Sequence, residues 1–541
     1  MAVHARSAQA GSHSVSPRST DDRRLKRIVR AAVGIIVFVP MIYSMVERSA
    51  AGDAAGEVHF AQGIMSGEVT SNSVLLQARL TAMPGPDDHG QFPGIAAEAC
   101  FEYSPSDRPA NARRTPWLES GDKHDFIVRA LVTELQPQTE YGFRVITRRH
   151  GGIEVPGPSG RFRTLSSPVD GKQPEVEKRE SSVGATVERT LRFCMGSCMN
   201  YHAFVHGESM KHSGPLTATP EDRAAGYPSF AAMKQLSPDF FIGAGDLVYY
   251  DATIRGNAVT VPEMRQCWHE QFHQARIRDF LSVTPAYWLK DDHDFRYNDA
   301  DLTGDRQPTA ATGIQLFQEQ MPVNPMEEPE RPGYRTHQIH PCLQLWMTEG
   351  RDHRSANRSD DGPEKTLWGS EQRAWLKETL LKSQARWKII VSPTPMIGPD
   401  DGKKKDNHAD LKGFQHERDE FFSWLADHSI TGVMIFCGDR HWQFHSVHPS
   451  GIEEFGCGAL NDENSRLGVA PGDADGSDPE GKIRQLFTSP EESGGFLLAE
   501  CTPSADGAFR LTIALCDDHG KILHQSEYHD SLNQGQTGPN K

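Results

Sequence analysis

Four short motifs carry side chains that can hold metal ions, and each follows a run of apolar residues. The first is Gly196-Ser197-Cys198, after the run 191–195, and the second is Gly245-Asp246-Leu247-Val248-Tyr249, after 240–244. The third is Lys290-Asp291-Asp292-His293-Asp294, with Asn298 four residues on, and the last is Gly438-Asp439-Arg440-His441. An isolated Asp at such a place usually caps a helix or closes a turn. Four motifs in order carry more weight, because ligands of α/β sheets sit beyond the carboxyl ends of the strands. Cys, Asp, Tyr, His and Asn side chains at four such ends are expected to converge on one metal site.

The elements that must position them alternate in type. A helical pattern over 227–236 precedes the apolar run Phe240-Phe241-Ile242-Gly243, and an amphipathic stretch over 262–281 leads into Ala286-Tyr287-Trp288-Leu289. Ser370 is read as the cap of a helix through Leu381, followed by 387–391, and a helix over 417–425 leads to 433–436. Four helix-then-strand units predict an α/β domain over 189–530. Upstream, 57–165 shows period-two runs separated by turn residues, the pattern of a small all-β sandwich. Within it, Leu135-Gln136-Pro137-Gln138-Thr139-Glu140-Tyr141-Gly142-Phe143 resembles the strand-turn-strand of a fibronectin type III domain, with Tyr141 as its corner tyrosine. The stretch 166–188 is polar and aperiodic, as in a linker, and 531–541 is a polar tail.

Composition narrows the function. The chain has 541 residues with 57 Lys and Arg against 73 Asp and Glu, a formal net charge of −16. That balance excludes nucleic-acid recognition, which needs clustered cations, but not a phosphate-bearing substrate when metal ions supply the positive charge. The nine cysteines form no Cys-x-x-Cys pair, which removes zinc ribbons and thioredoxin-like chemistry. Arg23, Arg24, Lys26, Arg27 and Arg30 precede an apolar stretch at 31–46 and small residues at 49–51, the layout of an export signal. Residues 1–50 are therefore expected to direct export to the periplasm or cell envelope. The 16 apolar residues fall just short of the ~17 that span a bilayer, so an uncleaved membrane anchor is the alternative.

With Gly-Ser-Cys198, Gly-Asp246-x-x-Tyr249, Asp-Asp-His-Asp and Gly-Asp439-x-His441 in view, the chain resembles the metallophosphoesterase superfamily and, within it, the PhoD-like alkaline phosphatase and phosphodiesterase family. The opening Phe60-Ala61-Gln62-Gly63-Ile64-Met65-Ser66-Gly67 is similar to that family's N-terminal domain. Purple acid phosphatases share the Gly-Asp-x-x-Tyr motif. They are expected to carry Asp at the first motif, Gly-Asn-His at the third and Gly-His-x-His at the last, where this chain has Cys198, Asp291-Asp292-His293 and Asp439. The resemblance implies a four-layer sandwich of two mixed sheets flanked by helices, behind the small β-domain. It also implies a monomeric exported hydrolase of phosphoric esters, acting on a small-molecule or lipid phosphoester.

The same resemblance implies the site. Cys198, Asp246, Tyr249 and His441 would surround ferric iron; thiolate, phenolate and imidazole together suit iron and not magnesium or calcium. Asp246 would bridge to calcium held by Asp292, Asn298 and Asp439, an all-oxygen set; other divalent metals are alternatives. Asp291 is an additional candidate ligand, and His408 another, from the loop 392–408. His293 is the candidate acid for the leaving alkoxide, and Arg351 and Arg354 of Glu349-Gly350-Arg351-Asp352-His353-Arg354 are candidate phosphate contacts. The run Lys403-Lys404-Lys405 is placed to attract an anion. Tyr250 and Asp294 stand where the family has Glu, and the acidic insertion 461–482 has no family counterpart. Two other readings accompany this one: a purple-acid-phosphatase-like enzyme, and a non-catalytic surface protein with a structural metal site.

Overall fold

Strand Phe240–Ala244 shows how this sequence builds its layers: Phe240, Ile242 and Ala244 pack with one apolar cluster and Phe241 with another. A strand covered on both faces must be apolar at every position, which is why it reads as an unbroken run. In the computed structural model, which describes residues 56–149, 151–167, 189–326, 328, 331–504 and 508–530, two large sheets share this property. The expected export segment 1–50, most of the expected linker 166–188 and the tail 531–541 lie outside the described residues. Among those described, no helix is long and apolar enough to cross a membrane.

One sheet has nine strands, with Leu191–Gly196, Phe240–Ala244 and Ala286–Leu289 running parallel at its centre. The other has seven, with Leu343–Met347, Trp387–Ser392, Val433–Cys437 and Glu453–Cys457 parallel. Their inner faces meet in one core, where the Phe193 and Phe436 rings lie 6.3 Å apart. Helices Pro228–Leu236, Val261–His273 and Ala275–Leu281 cover the outer face of the nine-stranded sheet through Phe230, Trp268 and Phe280. Helices Gly369–Lys382 and Gln415–Asp427 cover the other through Leu376, Leu380 and Phe421. The result is the expected four-layer α/β architecture of two mixed sheets between helices.

Local readings are corrected in two places. The single amphipathic stretch 262–281 is two helices, because Gln274 is extended (φ −56°, ψ 130°). Ser370 is not a cap: the helix begins at Gly369, whose φ of +72° turns the chain into it.

The N-terminal strands form the expected two-sheet sandwich, but one of its sheets is continuous with a large sheet of the core. Ile64–Gly67, Val74–Arg79 and Ile127–Val132 extend the nine-stranded sheet, with Gly67 paired to Ala286 of the adjacent parallel strand. Only glycine fits at 67, since a Cβ there would lie 2.7 Å from the Pro322 carbonyl oxygen. A separate five-stranded sheet built on Glu98–Pro105, Glu140–Arg148 and Val155–Arg163 packs against these three strands. In it the Tyr141 hydroxyl accepts the Gln136 N–H at 2.9 Å, the bond of a corner tyrosine.

Buried Arg129 fastens this region to the rest. Its guanidinium donates to Gln77 Oε1 and to the carbonyls of Gln318, Glu319 and Asn324, at 2.7–3.0 Å, and so caps the end of helix Ala310–Gln320. Arg129→Met leaves several buried acceptors unpaired and is expected to lower unfolding free energy by about 3 kcal/mol. Arg108→Met, at an exposed pair with Asp107, is expected to cost less than ~0.5 kcal/mol. Urea denaturation of both variants measures the difference.

Candidate metal centre

Three of the four motifs leave their strands through the same uncommon backbone turn. Cys198, Asp246 and Asp439 have φ of +58°, +56° and +63°. Each non-glycine residue in this region costs about 1 kcal/mol, a strain that recurs where side-chain direction matters more than backbone comfort. Glycines precede two of them: at Gly245 a Cβ would meet Asp291 at 2.7 Å, and at Gly438 the Ala244 carbonyl oxygen at 2.6 Å. The strand ends can therefore approach closely, and their side chains meet.

Cys198, Asp246 and His441 bring one ligand atom each to within 4.8 Å of one another. Cys198 Sγ lies 3.6 Å from Asp246 Oδ2, which accepts the Tyr249 hydroxyl at 3.3 Å, and Tyr249 Oη is 3.5 Å from His441 Nε2. Burial, with the Asp246 charge beside them, pushes the Cys198 thiol and Tyr249 phenol well above their ordinary pKa values. Burial, then Arg466 and Arg440, holds His441 well below the usual imidazole value, so it is neutral.

Three further groups share these walls: Asp246 with Asp292 and His293, Asp246 with Asp291 and Asp439, and Asp292 with Asp299 and Asp406. Burial and the neighbouring Asp292 push Asp246 well above the usual carboxylate range, while Asp291 is raised to about 8 by burial against the opposing pull of Arg351. Asp292 stays low despite burial, held there by His293 and Arg351. Several buried oxygens (Asp291 Oδ2, Asp406 Oδ1 and Asp406 Oδ2) have no hydrogen-bond partner. Crowded, desolvated carboxylates with unused lone pairs beside a thiol, a phenol and a neutral imidazole are what a pair of unlike cations requires. The residues fit the metals that the sequence suggests.

Of the other expected residues, only some join these groups. His293 is half-buried and stacks on Tyr249 at 4.1 Å, with Nδ1 2.6 Å from Asp251 Oδ1. Asn298 is exposed, its backbone N–H donating to Asp251 Oδ2 at 2.8 Å, and the neighbouring Asp299 joins Asp292. Arg351 is fully buried, donating from Nε to Asp291 Oδ1 at 2.6 Å, with Nη2 3.5 Å from Asp406. Arg354 donates to the Gly350 carbonyl and to Asn357 Oδ1. His408 is turned away from these groups: it packs on Trp368 at 4.7 Å, and its Nε2 is 3.0 Å from Glu417 Oε2. Tyr250 is a core residue whose hydroxyl accepts the Trp268 indole N–H. Asp294 accepts the Leu247 and Asp291 N–H groups and so holds two motif turns together.

Four residues at the centre escaped sequence reasoning: Asp251, Asp299, Asp406 and Asn464. Asp251 and Asp299 each follow a motif by one or two positions, and Asp406 ends the lysine run that drew attention to His408. Asn464 gave no signal. It lies in the acidic insertion, yet its amide donates to Tyr249 Oη at 3.0 Å and to the Cys198 carbonyl at 3.1 Å. A cleft of about 690 Å³ opens beside Asp406, lined in part by Asn298, Asp299, Arg358 and the three lysines 403–405.

Known proteins are similar to this chain in sequence and in fold. The chain is 22% identical over 429 residues to alkaline phosphatase D of Bacillus subtilis (strain 168); the match covers 71% of this chain and 64% of that relative's length. Its fold is similar to a solved structure of PhoD (TM-score 0.64, 17% identity, 90% of this chain and 94% of that one). It is also similar to a purple acid phosphatase from yellow lupin (Lupinus luteus) seeds (TM-score 0.54, 14% identity, 86% and 73%). The family model for the PhoD-like phosphatase N-terminal domain matches residues 46–166, and that for the PhoD-like phosphatase matches 193–481, more than half of the chain. The chain belongs to the PhoD-like phosphatase family.

Proposed function

We propose that this protein is an exported, metal-dependent hydrolase of phosphoric esters, with iron held by Cys198, Asp246, Tyr249 and His441. Asp292 and Asp439 would hold a second, harder cation, calcium, beside Asp246, with Asp299 at that group in place of the exposed Asn298. The observation that carries the reading is the convergence of a thiol, a phenol and an imidazole on the same carboxylate that borders the all-oxygen groups. When bound, the two cations supply Lewis-acid charge for the phosphoryl oxygens and for activating water. The chain's own residues do the rest. Arg351 offsets the charge of Asp291, Asp292 and Asp406 and so fixes their positions. Asn464 orients the Tyr249 oxygen. The His293 imidazole, raised well above its ordinary value by Asp292, Asp251 and Asp246 despite burial, holds a proton that it can give to a leaving alkoxide. The lysine-lined cleft is the entry for the anionic substrate, a phosphomonoester or phosphodiester. Residues 57–165 and 189–530 act as its β-domain and catalytic domain, and 1–50 direct export.

Cys198→Ala is expected to lose iron, the sulfur-to-iron charge-transfer absorption and most turnover of nitrophenyl phosphate esters. Cys267→Ala, on helix Val261–His273, keeps all three. Full iron occupancy and wild-type turnover in Cys198→Ala sink the cysteine-ligated site. Elemental analysis and absorption spectra decide it.

Iron retention carries a pH signature. The Cys198 and Tyr249 protons must leave before both groups can ligate, whereas neutral His441 releases none. Apparent affinity should therefore rise with pH, by about tenfold per unit for each proton displaced, and fall as pH drops. Competition against a chelator of known affinity between pH 6 and 8 measures the slope; a flat profile contradicts these ligands.

Lys403 and Lys405 are exposed on the cleft rim. The double variant Lys403→Glu with Lys405→Glu is expected to raise KM about tenfold at low salt, with kcat nearly unchanged, and added salt should shrink the difference.

A further inference from the structure

Far from the motif turns, His340, Cys342 and Cys501 bring three metal-ligating atoms together in the interior. His340 closes strand Arg335–His340, where a register shift after Gln338 re-aims the chain, and Cys342 lies in the turn before Leu343–Met347. Cys501 comes from Gly495–Pro503 in the other large sheet. His340 Nδ1 is 3.0 Å from Cys342 Sγ and 3.8 Å from Cys501 Sγ, and the two sulfurs are 3.4 Å apart. All three residues are buried, at 4%, 7% and 0% exposure, and the Phe509 ring stands edge-on to the imidazole at 4.8 Å.

These separations suit one ion. With Zn–S of about 2.3 Å and Zn–N of about 2.0 Å in a tetrahedron, two thiolates stand about 3.7 Å apart and a thiolate and an imidazole nitrogen about 3.5 Å. One imidazole and two sulfurs form a soft set that calcium and magnesium do not accept. Charge favours a divalent ion as well: two thiolates and one zinc sum to zero, so the occupied site buries no net charge. Beside His340 is a cavity of about 100 Å³, also lined by Leu191, Thr190 and Asp239, with room for water.

The position separates this cluster from the catalytic centre. Cys501 pairs with Leu191, the first residue of the strand whose other end leads into Cys198. Six residues at ~3.3 Å each place the two sites about 20 Å apart. We propose that His340, Cys342 and Cys501 bind a single zinc(II) ion that clasps the two central sheets together at the ends of the strands opposite the catalytic metals.

The test uses natively purified full-length protein and its Cys342→Ser and Cys501→Ser variants. Each variant should contain one zinc equivalent less than wild type, with iron content and turnover unchanged. Zinc should raise the melting temperature of chelator-treated wild type by several degrees and leave the variants unmoved. Equal zinc in wild type and variants overturns the proposal. If a variant fails to fold, wild type alone decides. An organomercurial titration should release one zinc in step with modification of Cys342 and Cys501, mapped by mass spectrometry. Release without modification of those two residues, absence of zinc even after zinc addition, or a native disulfide joining Cys342 to Cys501 overturns the clasp.

Discussion

Burying several carboxylates in one small volume is the constraint around which this molecule is arranged. Asp246, Asp291, Asp292, Asp406 and Asp439 are each less than 9% exposed and stand at one end of the two large sheets. A lone buried carboxylate is expensive, and several together repel one another. The chain supplies Arg351 against Asp291, Asp292 and Asp406, and Arg440 against Asp439 and Asp400. The charge left over is what the proposed iron and calcium would offset.

The scaffold makes such a concentration affordable. Two sheets with both faces covered leave the strand ends as the place where polar side chains can gather, and the motif residues stand there. Strained left-handed turns at Cys198, Asp246 and Asp439 then point the side chains inward. Glycines at 245 and 438 let the turns approach within distances a Cβ would forbid. Strain and charge are held by the same device: the Asp294 carboxylate accepts N–H groups from the second and third motifs and locks them together.

The N-terminal strands belong to this frame and do not merely precede it. Three of them lengthen the nine-stranded sheet, and Arg129 caps a helix end that lies some 190 residues further along the chain. The β-region is tied to the layers that carry the site by sheet pairing, by a buried guanidinium and by a shared apolar core.

Local signals in the sequence were enough for an α/β domain and for the motifs, and the family resemblance that the motifs carry implied the four layers. A strand buried on both faces must be apolar throughout, and a ligand after it must follow a turn, so the order Cys198, Asp246–Tyr249, Asp291–Asp294 and Asp439–His441 could be read directly. Reach could not. Asn298 and Asp299 are adjacent in sequence, and only the path of the loop decides that Asp299 meets Asp292. His408 and Asp406 are two residues apart, but the first turns to Glu417 and Trp368 while the second turns to the carboxylates. Arg351 looked like a hand for phosphate and is sealed against Asp291. Asn464 sits 215 residues from Tyr249, in an insertion with no periodicity to betray it. Burial on a strand is a property of near neighbours and leaves a pattern in the sequence. Convergence of loop side chains depends on contacts between distant segments, and only the folded chain decides them.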